Sequence, residues 1–178
     1  MAITRTLPTD DSGTGNDGTI FNAAWVTTKY DEMDGAFIQT LESTFTETPG
    51  AGTYTASRTL PAGATLLDII INGVALWDTT TSATMKVGDA GDDDGYFTGI
   101  NLKTTDLLAG ESLSFALAGG KAGAYIANSQ VSPRYSSSSR VISGIITTVG
   151  AAGSAGRTRM TIIYSAPYAA AITAATKV

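Results

Sequence analysis

Residues 59–101 read TLPAGATLLDIIINGVALWDTTTSATMKVGDAGDDDGYFTGIN. Within them Leu66, Leu67, Ile69, Ile70 and Ile71 form a short apolar run, mostly β-branched, between Pro61-Ala62-Gly63 and Asn72-Gly73. An apolar run of that length between turn-forming residues predicts a buried strand. A second strand at 83–87 leads into an acidic, glycine-rich loop and on to a third at 96–101, so the stretch reads as sheet without catalytic chemistry.

The same two-residue alternation recurs from Thr44 onward, beyond the boundary set by Pro49-Gly50-Ala51-Gly52. It predicts strands at 53–60, 64–76, 83–87, 96–101, 112–118, 122–127, 140–149 and 159–164. Short strands parted by Pro-Ala-Gly, Ala-Gly-Glu, Gly-Gly-Lys and Gly-Ala-Ala-Gly turns predict a mainly β protein, an antiparallel β-sandwich of jelly-roll-like kind. Upstream, Phe21, Trp25, Met33 and Phe37 recur at multiples of four and predict one helix over 19–41, with Lys29 interrupting the stripe and Gly35 weakening its second half. Residues 1–18, MAITRTLPTDDSGTGNDG, read as an extended arm, expected to be held by a neighbouring subunit. The expected organisation is therefore an arm and helix over 1–46, then a sandwich body with an alanine- and threonine-rich tail over 47–178.

Composition narrows the chemistry. The chain of 178 residues contains neither cysteine nor histidine, which removes disulfides, thiolate metal sites, the commonest general base and the best nucleophile. Sixteen acidic against 11 basic residues give a net charge of −5, unsuited to wrapping nucleic acid. No apolar stretch approaches membrane-spanning length and the amino terminus has no signal-peptide core, so folding in a cytoplasm is expected. Charged residues are 15% of the chain, against the usual quarter, as suits a surface that packs in a large assembly.

Asp89, Asp92, Asp93 and Asp94, interleaved with Gly88, Gly91 and Gly95, are the densest set of hard oxygen ligands and make calcium the natural candidate ion. The helix-loop-helix calcium pattern fails, because Asp94 stands where its glycine belongs and Ile100 where its closing glutamate belongs. A solvated acidic loop is the simpler expectation, with no cofactor and no dedicated metal site. Asp31, Glu32 and Asp34 lack the shared face and tuning groups of a catalytic pair. Gly119-Gly120-Lys121 lacks phosphate-loop spacing and reads as a hairpin turn. Tyr54, Tyr96, Phe97, Tyr125, Tyr135, Tyr164 and Tyr168 could line a carbohydrate face, although their apolar neighbours favour packing. Arg134, Arg140, Arg157 and Arg159 concentrate positive charge opposite the acidic loop, an asymmetry that suits head-to-tail contact between subunits.

LPAGATLLDIIINGV (60–74) followed by ATMKVGDAGDDDGYF (83–97) resembles the β-rich bodies of structural proteins in tailed-bacteriophage particles. DGTIFNAAWVTTKYDEMDGAF (17–37) resembles the amino-terminal helix of many phage virion proteins, and RMTIIYSAPY (159–168) is a weaker echo. The resemblance implies a non-enzymatic virion component made in the host cytoplasm and assembled as a homo-oligomer, with a trimer favoured. Its implied role is a capsid decoration, or cement, protein bound between major capsid subunits; the alternative is a tail or head fibre or adaptor recognising host carbohydrate. Phe21, Trp25, Met33 and Phe37 would then be the assembly interface, unless they pack on the sheet of their own chain.

Overall fold

Alternating side chains make strands of Ile38–Thr46 (β1), Thr53–Leu60 (β2), Thr65–Ala75 (β3), Ser82–Gly88 (β4), Phe97–Asn101 (β5), Ser112–Leu113 (β6), Arg140–Val149 (β7) and Arg157–Ser165 (β8). The computed structural model describes residues 38–50, 52–127, 134–151 and 153–165, which fall within the compact unit Ile38–Ser165. The arm, the tail, Tyr168, and Phe21, Trp25, Met33 and Phe37 lie outside the described residues.

The strands form two antiparallel four-stranded sheets, ordered β1-β8-β3-β6 and β2-β7-β4-β5. Pairing is nested: β1 meets β8, β2 meets β7, β3 meets β6 and β4 meets β5, as in one long ribbon doubled back on itself. The further ladders of β3 with β8 and of β4 with β7 join these pairs into sheets. Leu66, Ile69 and Ile71 from β3 and Met160 and Ile162 from β8 are buried, as are Met85 and Val87 from β4 and Ile142 and Ile146 from β7. Each such side chain contributes about 1.5–3 kcal/mol on leaving water.

The strands expected at 53–60, 64–76, 83–87, 96–101, 140–149 and 159–164 correspond to β2, β3, β4, β5, β7 and β8, while other stretches differ. Residues 38–41, expected at the end of the helix, belong to β1, whose inward Ser43 and Phe45 continue the two-residue period. Within the expected 64–76, β3 passes Asn72-Gly73 and runs on to Ala75 through a register shift, with the Leu108 carbonyl lying against Gly73 where a side chain would stand. Only Ser112–Leu113 of the 112–118 run is strand, because the Phe115 N–H turns to the Asp68 carboxylate at 2.9 Å. The 122–127 run forms a single helical turn, Ala124–Ala127 (α1), held by the Tyr125 N–H on the Gly95 carbonyl at 2.8 Å. Gly119–Lys121 forms a 3₁₀ turn in place of the expected hairpin turn.

Gly144 in β7 explains how the sheets close over one another. A β-carbon there would stand 2.7 Å from Phe45 Cζ and 3.1 Å from both Met160 Sδ and Met85 Cε. Gly144→Val therefore forces core side chains off their rotamers, and chemical denaturation should show a loss of about 1–3 kcal/mol.

Candidate functional site

The acidic loop follows β4 and returns the chain to β5. It is closed at its base by the Tyr96 N–H on the Val87 carbonyl (2.9 Å) and internally by the Asp89 N–H on the Asp92 carbonyl (2.9 Å). Gly88 and Gly123 permit this fold, since a side chain on either would run into the loop backbone at Asp92–Asp93 or Asp94–Gly95.

The four aspartates do not act as one set. Carboxylate oxygens of Asp92, Asp93 and Asp94 lie within 4.8 Å of one another. Asp89 turns inward instead, accepting from the Gly91 N–H at 2.9 Å and the Tyr125 hydroxyl at 3.2 Å, with Arg140 at 3.9 Å. The Lys86 ammonium pairs with Asp93, so part of the outer cluster's charge is already balanced within the chain. A hydrogen bond with Asp94, before like-charge repulsion, pushes the Asp92 carboxyl above its ordinary range. The Thr98 hydroxyl, 2.7 Å from Asp94, together with Asp92 holds the Asp94 carboxyl below it. A depression of about 110 Å³ beside the loop is lined by Thr84, Lys86, Asp94, Thr98 and Thr147. Small-molecule sites usually need about 300–1,000 Å³.

Aromatic side chains support this loop from below. Tyr96 is fully buried, stacks on Phe115 at 5.8 Å and meets Tyr125 edge-on at 5.2 Å. Burial pushes its phenol up to about 12. The Arg134 guanidinium lies 4.9 Å over Phe115, while Tyr54 packs edge-on against Trp77 at 4.9 Å. Phe97 and Tyr164 are also buried, so of the aromatics considered for a carbohydrate face only Tyr135 is exposed among the described residues. The four arginines form no single patch: Arg140 faces Asp89 of its own chain, while Arg157 and Arg159 stand on exposed positions of β8.

At the opposite end of β4 lies a carboxylate site that the motif search did not single out. Glu47 is 2% exposed. Its Oε2 accepts from the Asp78 N–H (3.1 Å) and the Gly156 N–H (3.0 Å), and its Oε1 from the Thr79 N–H (3.2 Å). Asp78 adds the Ser154 and Ala155 N–H groups at 2.8 and 3.1 Å, which hold its carboxyl below the usual range. Trp77 closes the cluster, donating its indole N–H to Thr158 at 2.9 Å. Two carboxylates thus bind the amides of two loops to the end of β1. The signal was present: Glu47 has the same parity as Ser43 and Phe45, so the strand period already pointed it inward.

Asp106 accepts from the Asn101 N–H at 2.7 Å and Glu111 from the Leu108 N–H at 2.8 Å, so backbone amides bound by carboxylates recur through the body. This arrangement offers rigidity. Glu47→Ala strands the buried Thr79 and Gly156 amides and the part-buried Asp78 amide and should lower stability by about 3 kcal/mol, against about 0.5 kcal/mol for Asp93→Asn at the surface. Asp78, with its carboxyl lowered in the fold, adds stability that is complete above the unfolded value near pH ~4 and lost as pH falls through the folded value. Melting temperatures measured downward from pH 6 should fall in that window, with a smaller fall in Asp78→Asn.

No known family model matches the sequence, and no curated protein matches it. The chain is similar to the acidic stable capsid structure of Helicobacter pylori bacteriophage KHP30, with 14% identity and a TM-score of 0.49 over 75% of this chain and 90% of that one. It is also similar to a chain of the cyanophage Pam1 capsid (21%, TM-score 0.41, 74% and 84%) and to one of the capsid of Ralstonia phage GP4 (16%, TM-score 0.45, 74% and 86%). Likenesses at these identities and superpositions transfer no function to this chain.

Proposed function

We propose that this protein is a structural component of a tailed-phage particle, a decoration protein that binds between capsid subunits and stabilises the head. The observation that carries this reading is the placement of its carboxylates. Glu47, Asp68, Asp78, Asp89, Asp106 and Glu111 all hold backbone amides of their own chain. A body so arranged presents a fixed shape, and these six carboxylates serve its own backbone. The nested strand order supports a jelly roll. The exposed face of the second sheet is nearly neutral: Thr53, Thr55, Ser57, Thr59, Thr84, Val141, Thr147 and Val149 are accompanied by Lys86, which Asp93 balances. Such a face suits flat contact with other protein and gives no attraction to nucleic acid. The phage-like wording of residues 17–37 and 60–97 agrees with this role.

Decoration works by mass action. A protein that binds the assembled lattice and not its dissociated subunits, at a free concentration 100 times its dissociation constant, stabilises each site by about 2.7 kcal/mol. Many copies multiply a modest affinity. Particles stripped of the protein should release DNA at lower temperature and regain their stability when it is added back. Quantitative mass spectrometry should find it at a copy number comparable to that of the major capsid subunit. A few copies per particle together with glycan binding would establish the fibre or adaptor role instead.

A further inference from the structure

The sandwich has two lateral sides, and they are finished differently. On one, the outer edge of β3 is walled: the Leu66 N–H reaches the Arg134 carbonyl at 2.8 Å, the Arg134 guanidinium reaches the Leu67 carbonyl at 3.2 Å, and Asp68 takes the Phe115 N–H at 2.9 Å. On the other side lie the edges of β1 and β2. The Glu42 carbonyl there accepts from Arg58 Nε at 2.7 Å, so it points away from β8. Antiparallel alternation then directs the N–H and C=O groups of Ile38, Thr40, Thr44 and Thr46 outward as well. All of these residues have exposed side chains.

β1 has few of the usual protections of an edge, Glu42 being its one charged side chain. It contains no proline, no lysine and no bulge, and its register with β8 is unbroken from Ile38↔Ser165 to Thr46↔Arg157. Arg58 is its guard. It stands at an inward-parity position of β2, crosses to the other sheet, and braces itself on the Ser57 carbonyl at 3.3 Å. A guanidinium bonded to carbonyls exchanges readily for a stronger, charge-assisted bond to a carboxylate.

We propose that the outer edge of β1 is a docking edge for an extended polypeptide segment bearing a carboxylate. The segment adds as a further strand while its carboxylate draws the Arg58 guanidinium off the Glu42 carbonyl. Main-chain bonds supply affinity and Arg58 supplies selectivity for acidic sequences. This goes beyond the decoration role: it locates where one neighbour is held, and it can stand or fail independently of copy number or particle stability.

The test uses the full chain in solution with a synthetic peptide of residues 1–18, which carries Asp10, Asp11 and Asp17, and with a second peptide in which all three are Asn. The acidic peptide should slow hydrogen exchange at the amides of Thr40, Glu42 and Thr44. It should bind about tenfold more tightly than the neutral one, the difference one charge-assisted hydrogen bond supplies. Arg58→Ala should make the two peptides equal. Thr40→Pro, which removes an outward N–H and leaves the ladder to β8 intact, should weaken both while thermal melting confirms the fold. Unchanged edge exchange at millimolar peptide, an acidic preference that survives Arg58→Ala, or undiminished binding by the folded Thr40→Pro variant would each overturn the proposal.

Discussion

Two ladders, β3 on β8 and β4 on β7, turn a doubled ribbon into a sandwich, and the rest of the structure depends on them. Without them, the pairs β1·β8 and β2·β7 would be two-stranded ribbons with an apolar side open to water, which are marginal on their own. With them, the inner side chains of both sheets meet. Phe45 lies over Gly144 between Met85 and Met160, so a single missing side chain sets how closely the sheets approach.

Closing the sheets brings the connecting loops together at their ends, and there the carboxylates act. A loop has backbone N–H groups that no strand satisfies, and burying them unpaired costs more than any one hydrogen bond contributes. Glu47 meets this need for Asp78, Thr79 and Gly156, and Gly156 is required because a β-carbon there would stand 2.7 Å from Glu47 Oε2 and 2.6 Å from Trp77. The acidic loop follows the same rule with Asp89, while Asp92, Asp93 and Asp94 face outward beside Lys86. The same residue type thus performs opposite tasks within one loop, according to which side of the turn it occupies.

Much of this was legible. β2 and β7 followed from alternation, and Glu47 could have been recognised by its inward parity. The runs at 112–118 and 122–127 were misleading because Phe115 and Tyr125 pack on Tyr96 from outside regular strands, and periodicity does not distinguish a strand from a turn that packs the same side chains. The helix boundary was overrun because Leu41 fits a stripe of either period until the partner strand β8 is known.

By itself, the sequence determined that this is a β protein without histidine or thiol chemistry, because composition and two-residue alternation are local properties that each segment carries alone. Which strand lies beside which, that Asp89 meets Arg140 of its own chain, and that Arg58 of β2 reaches the Glu42 carbonyl of β1 were decided only in the tertiary structure. Pairing joins residues far apart in sequence. Its outcome depends on how all the apolar faces are buried at once, which no single stretch records.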